Sequence, residues 1–151
     1  MSAKLQRARR VKRRSVRTDG LFLRGHAWQC AVFPEGRAFG FEVRPVHDDG
    51  FEPWNEGFVY VDGTMHAAKV HDPKWLGEVI AAGEDVSFEL HSDLGVTRIS
   101  GTTGLSTFRV ATTKLFGLNL QQGGVLYDWD GQKAWGMIER SMPTELTGKL
   151  D

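Results

Sequence analysis

Gly25-His26-Ala27-Trp28-Gln29-Cys30-Ala31-Val32-Phe33 is followed by Pro34-Glu35-Gly36-Arg37 and then by Ala38-Phe39-Gly40-Phe41-Glu42-Val43. Two extended apolar runs meeting at a four-residue turn read as a β-hairpin. Alternation places His26, Trp28, Cys30 and Val32 on one face of the first strand, and Ala27, Gln29, Ala31 and Phe33 on the other. A histidine and a tryptophan two residues apart on one face suit a pocket wall, and equally the edge of a core.

The pattern repeats outward from this hairpin. Residues 57–61 and 64–70 flank Asp62-Gly63, the dipeptide that best fits a two-residue type I′ turn. Val86, Phe88 and Leu90 alternate with Ser87, Glu89 and His91, and Val96 to Ser100 follows across a turn at residues 92–95. Ser106 to Leu115 and Val125 to Trp129 read as further strands, and Asp130-Gly131 turns the chain into Lys133 to Arg140, a strand that Pro143 ends. Asp72-Pro73 suits a helix start, Asp72 as N-cap and Pro73 at the first helical position, with Gly77 and Gly83 limiting it to a turn or two. About nine short strands with frequent turn signals and at most one short helix predict an all-β antiparallel meander. Closure into a barrel is the expected form, because it removes unpaired edges.

At 151 residues, 40% of them hydrophobic, the chain has the size and apolar content of one domain with a real core. No run reaches the roughly 18 apolar residues of a membrane-spanning helix, and no apolar segment follows the basic N-terminus as in a secretory signal. The single cysteine, Cys30, excludes an internal disulfide framework and reads as a small buried hydrophobe, so a cytoplasmic setting is expected. The formal net charge of zero hides a division. Residues 1–17 carry eight of the 19 basic residues and no acid, so the remaining 11 stand against all 19 acidic ones, a net charge of −8. An N-terminal arm, residues 1–20, is thereby set off from a barrel domain, residues 21–151. A solvated arm is the plain reading of residues 1–17. Nucleic acid or an anionic membrane surface is the weaker alternative, since no aromatic residue is interleaved for base stacking.

The chemical motifs of common enzymes are absent: no P-loop, no His-Glu-x-x-His, no Cys-x-x-Cys and no Gly-x-Ser-x-Gly. His47 with Asp48 and Asp49 reads as a polar loop, and His66 and His91 supply no ligand spacing, so neither a metal nor a cofactor is expected. Trp28 with His26, Phe39 with Phe41, and Trp135 with Met137 and Glu139 form three strand faces. If all point inward, they make an aromatic interior with a histidine and a carboxylate, the composition of a small-molecule pocket. His26, Trp28, Phe39, Phe41, Tyr60, Trp135 and Met137 are the candidate ligand-lining residues. Glu139, its pKa raised by apolar neighbours, and His26 are the candidate acid–base pair. At the barrel mouth Glu139 would instead pair with an arginine.

Four pieces in this order carry a resemblance: His26-Ala27-Trp28; Phe33 to Gly40; Glu56 to Gly63; and Asp130-Gly131-Gln132-Lys133-Ala134-Trp135-Gly136-Met137-Ile138-Glu139-Arg140-Ser141. Over residues 12–145 the chain resembles the C-terminal half of bacterial lipocalin-like proteins related to the hydroxyneurosporene synthase (carotenoid hydratase) and AttH group. The resemblance implies a lipocalin-like, calycin-type barrel, one of two in a full-length member, and a hydrophobic ligand of isoprenoid, steroid or acyl type. A lone half would close on itself or pair as a homo-oligomer. In the hydratase branch, acid–base groups protonate an alkene and water adds. The present sequence departs from that pattern at Lys12-Arg13-Arg14-Ser15-Val16-Arg17, where the group carries an aspartate and a tryptophan. Three functions follow: hydrophobic-ligand binding, hydratase-like acid–base chemistry on such a ligand, and an interaction module docking its basic arm on an acidic surface.

Overall fold

In a computed structural model, residues 25–45, 54–77, 82–104, 108–111 and 118–143 are described. They form nine strands: β1 His26–Val32, β2 Ala38–Val43, β3 Asn55–Val61, β4 Thr64–His71, β5 Phe88–Ser92, β6 Gly95–Thr103, β7 Phe108–Ala111, β8 Leu118–Trp129 and β9 Gln132–Pro143. Each strand pairs antiparallel with its chain neighbour, except that β6 pairs with β8, and β9 returns to β1 to close the sheet. β6 lies on Val125–Asp128 of β8 and β7 on Asn119–Gln122, so the two share one place in the ring. The result is a closed eight-stranded antiparallel barrel, all-β and consistent with a lipocalin-like fold.

The turns act as their residues require. Asp62 and Gly63 have φ of 49° and 82°, and Asp130 and Gly131 have 53° and 82°, the paired left-handed conformations of a type I′ turn. These turns, with those at residues 34–37 and 93–94, gather at one end of the barrel. β2 and β4 end at the other, the long-connection end, where residues 72–77 and 82–87 lie.

The helix expected at Asp72 is not formed. Asp72 has a φ of 50°, which no N-cap adopts, and residues 73–77 are irregular. The reason is tertiary. The carbonyls of Lys74 and Trp75, which would enter a helical ladder, instead accept hydrogen bonds from Nη1 of Arg140 at 3.3 and 3.2 Å. The segment is thus held across the long-connection end of the barrel, with Leu76 and Val86 buried. No described residue is helical, and among them no helix is long and apolar enough to cross a membrane. The basic arm, the His47-Asp48-Asp49 loop, residues 78–81 and most of the run from Ser106 to Leu115 lie outside the described residues.

The core is a stack of rings. Phe39 packs against Phe88 and Tyr127 with centroids 5.0 Å apart in each case, Phe41 meets Phe88 at 4.8 Å, and Phe33 meets Trp129 edge-on at 5.6 Å. These are favourable tilted and T-shaped separations. Arg37 seals the short-turn end: its guanidinium lies 4.4 Å from the Trp129 ring centroid and donates to the Trp129 carbonyl at 2.8 Å.

Candidate functional site

The inner face of β1 is Ala27, Gln29 and Ala31, and that of β9 is Ala134, Gly136, Ile138 and Arg140. It is therefore the face opposite to the one carrying His26 and Trp28. Sterics decide this. The Tyr127 ring is wedged between Gly101 and Gly136, where an added Cβ would come within 2.8 and 2.7 Å of it. A ring that size needs small residues across from it, and β1 and β9 supply alanine and glycine.

Three candidate faces do not converge. Phe39 and Phe41 point inward, but they pack ring against ring and fill the axis. Trp28, Tyr60, Trp135 and Met137 lie on the outer wall, with Trp135 64% and Met137 46% exposed. Cys30, read as a buried hydrophobe, is half-buried on that same wall.

The outer wall does bring His26 and Glu139 together. The β1–β9 register sets His26 opposite Ser141 and Trp28 opposite Glu139, and β8 sets Gln122 opposite Glu139 from the other side. His26 Nε2 lies 2.9 Å from Glu139 Oε1, and Ser141 Oγ lies 2.7 Å from His26 Nδ1. Gln122 Nε2 donates to the second Glu139 oxygen. A neutral imidazole protonated at Nε2 fits this chain: it donates to the carboxylate and accepts from the serine hydroxyl. The hydrogen bond from His26 holds the Glu139 carboxyl below its ordinary pKa, outweighing the desolvation that would raise it. The expected elevation is thus reversed. Glu139 is the acceptor of this cluster, and His26 links it to Ser141.

Two adjoining rows of the outer wall carry no charge. One runs Ala67, Phe58, Gly40, Cys30, Met137 and Gly124 across six strands. The next holds Met65, Tyr60, Ala38 and Val32, with Trp135 and Leu126 beyond. Glycine lets rings lie flat on this surface: a Cβ at Gly40 would meet Phe58 at 2.8 Å, and one at Gly104 would meet Trp135 at 2.6 Å.

Inside, sequence reasoning missed Arg140. Its guanidinium is fully buried and bonds Gln121 Oε1 from Nε at 2.9 Å and Glu84 Oε2 from Nη2 at 2.5 Å, besides the two carbonyls of the crossing segment. Tyr127 donates to Gln29 Oε1 at 2.7 Å, and burial pushes its hydroxyl well above the usual range, so it stays a donor. The available signal was parity: Arg140 shares a strand face with Ala134, Gly136 and Ile138.

Beside the crossing segment, a cleft of about 370 Å³ opens at the long-connection end, lined by Val43, Arg44, Pro45, Trp54, Asn55, Pro73 and Trp75. Asn55 braces it by bonding Val70 through both the N–H and the carbonyl, each at 2.9 Å. Arg44 leans toward the Trp54 ring at 5.9 Å and pairs with Glu42 at 3.2 Å. A second, more open groove of about 480 Å³ has a largely charged rim that includes Asp72, Lys74, Glu89, Arg98 and Asp130. Among the described residues no three His, Cys, Asp or Glu side chains are grouped to hold a metal ion. His71 and His91 are instead stacked face to face, 3.9 Å apart. Compared with protein-family models, with curated proteins and with solved structures, the chain matches none.

Proposed function

We propose that the barrel binds a hydrophobic small molecule of acyl, isoprenoid or steroid type, and that the ligand enters the cleft at the long-connection end rather than the axis. The observation that carries this reading is the cleft's lining: two indoles, two prolines and Val43, with Arg44 and Asn55 as the polar groups. A mostly apolar wall with a few fixed polar groups, at the mouth of a barrel, is the usual composition of a small-molecule site, and about 370 Å³ lies within the usual size range. The packed rings along the axis argue against the interior. The resemblance to lipocalin-like hydratase relatives points to the same ligand class.

Titration with a fluorescent fatty acid and a retinoid, read by probe emission and tryptophan quenching, tests the reading. Saturable binding that weakens about tenfold or more in Trp75→Ala and Trp54→Ala is expected. Absence of saturation, or affinity unchanged in both variants, overturns it.

One observation favours a second reading, an acid–base enzyme acting on such a ligand. The Ser141–His26–Glu139 chain gives an imidazole oriented by a carboxylate on one side and a hydroxyl on the other. In this reading His26 in its imidazolium form gives a proton to the alkene, water adds to the resulting cation and returns a proton to the ring, and Glu139 and Ser141 hold the ring. Turnover of an isoprenoid alkene would be lost in His26→Ala and reduced in Glu139→Gln. Equal turnover in wild type and His26→Ala removes it.

A further inference from the structure

The uncharged outer rows are the largest feature that ligand binding at the mouth leaves unused. Met65 is 67% exposed, Trp135 64% and Val32 55%, within a wall where no charge interrupts six adjacent strands. Scattered exposed apolar residues need no explanation, but a contiguous patch of them marks an interaction surface.

We propose that the N-terminal residues 1–24 of the same chain cover this wall. Three observations select this occupant. The first is where the segment joins. Gly25 has a φ of 92°, a left-handed conformation that breaks the extended run of β1, and it sits against Ser141, where an added Cβ would lie 2.5 Å from the Ser141 carbonyl oxygen. The 24 preceding residues therefore start at the head of β1, and the uncharged rows begin two positions beyond the Trp28 row that carries Glu42, Glu56 and Glu139.

The second is order. Leu21, Phe22 and Leu23 precede Gly25 by four to two residues, and Arg17, Arg14 and Arg13 by eight to twelve. At roughly 3.3 Å per residue, a chain folded back along β1 sets Leu21 about 13 Å from Gly25, beside the Cys30–Met137 row. The basic run then falls beyond Val32, at the short-turn end of the barrel. Past the row of Glu42, Glu56 and Glu139, the wall presents the complementary order: uncharged rows, and then an end bearing Glu35, Asp62, Asp128 and Asp130, of which the Asp130 side chain is 77% exposed. Arg37 and Lys133 are the cations of that end, and Arg37 is already engaged with Asp130 and Trp129.

The third is charge. Residues 1–17 carry +8 and the rest of the chain −8. Docking brings the two halves of a neutral protein together, and the apolar tripeptide reaches the only part of that path that lacks acids.

Cys30, the chain's one thiol, lies in the uncharged rows and makes the test direct. In full-length protein, Leu21→Cys, Phe22→Cys and Leu23→Cys are made singly and oxidised mildly, with Ser2→Cys as control. A disulfide to Cys30 within one chain, formed at least tenfold faster than in the control for one or more of the three, is expected. Because Cys30 is half-buried, a second set pairs the same replacements with Met137→Cys in a Cys30→Ala background. The charge component is read by adding Arg9→Glu, Arg10→Glu, Arg13→Glu and Arg14→Glu together, which should slow cross-linking several-fold. Failure of both sets to cross-link within the chain overturns the proposal. So does cross-linking only between chains, which would assign the wall to a second copy. A rate unchanged by the four charge reversals overturns the electrostatic contribution.

Discussion

The two faces of β1 and β9 are built from alternate positions of the same two strands, yet they obey different rules. Inward, Ala27, Gln29, Ala31, Gly136, Ile138 and Arg140 meet rings and a crossing segment, and all but Gly136 are buried. Outward, His26, Trp28, Cys30, Met137, Glu139 and Ser141 form a short polar chain beside an uncharged wall, half open to water. On the inner face each group is specified by its neighbours, so a substitution there is a change in stability. On the outer face the geometry is looser, and a substitution there costs less in stability and bears on binding or chemistry. The contrast can be broken or sharpened by altering one face at a time.

The largest effect is expected at Arg140. Replacing it with alanine leaves Glu84, Gln121 and the Lys74 and Trp75 carbonyls without their shared donor, and releases the segment that crosses the barrel end. Removing one partner of a buried pair costs about 3–5 kcal/mol, measurable as a drop in the urea midpoint. If Arg140→Ala unfolds near the wild-type midpoint, the crossing segment is not held by the guanidinium, and the inner face is less specified than its geometry implies.

Gly136 ranks next. A Cβ there would lie 2.2 Å from the Cys30 carbonyl oxygen and 2.7 Å from both Ala31 Cβ and the Tyr127 ring. Backbone cannot yield as a side-chain end can, so Gly136→Ala should cost about 1–3 kcal/mol, as overpacking of a full core does. Combining it with Tyr127→Phe leaves the ring in place and should not relieve the clash. Recovery in the double variant would assign the strain to the hydroxyl rather than to the ring.

Glu139 tests the outer face through pH. Its folded pKa is depressed by the hydrogen bond from His26, so its contribution to stability is present above the unfolded carboxyl pKa of about 4.3 and fades as pH falls through the lower folded value. Glu139→Gln should therefore cost about 1 kcal/mol near neutral pH, in keeping with a partly exposed charge-assisted bond. The gap between variant and wild type should close in acid. Urea midpoints at neutral pH and in acid measure it, and a gap that widens in acid contradicts a depressed carboxyl.

The same contrast explains what could be read from the chain. The hairpins were legible, because Asp62-Gly63 and Asp130-Gly131 state their turns locally and alternation states the strands. Closure was expected because it removes unpaired edges. Alternation fixed which side chains share a face but not which face is inside. The usual cue, bulk, pointed the wrong way: Trp28 and Trp135 are large and outside, while Ala27, Ala31 and Gly136 are small and inside, because rings from β2, β5 and β8 already occupy the centre. That is a long-range packing fact with no local signature. Arg140 was obscured for the same reason, and the Asp72 helix failed because its carbonyls are claimed by a residue 65 or more positions away. His26 and Glu139 were placed together by register alone, although a shared interior had suggested the pairing.

The smallest effect should come from the outermost position. Met65 is 67% exposed on β4, with Tyr60 opposite on β3 and no acid in its row. Met65→Lys removes little buried surface, so the urea midpoint should move by no more than about 0.5 kcal/mol, as for surface changes away from specific contacts. The charge nonetheless sits at the edge of the uncharged wall. If that wall is covered, the lysine ammonium must be desolvated by whatever covers it, and the substitution becomes a probe of the cover rather than of the barrel. A shift well above 0.5 kcal/mol in full-length protein would then measure burial that the exposed position of Met65 in the barrel alone does not account for. An unchanged midpoint would confine the covered area to the Val32–Trp135 side of the wall.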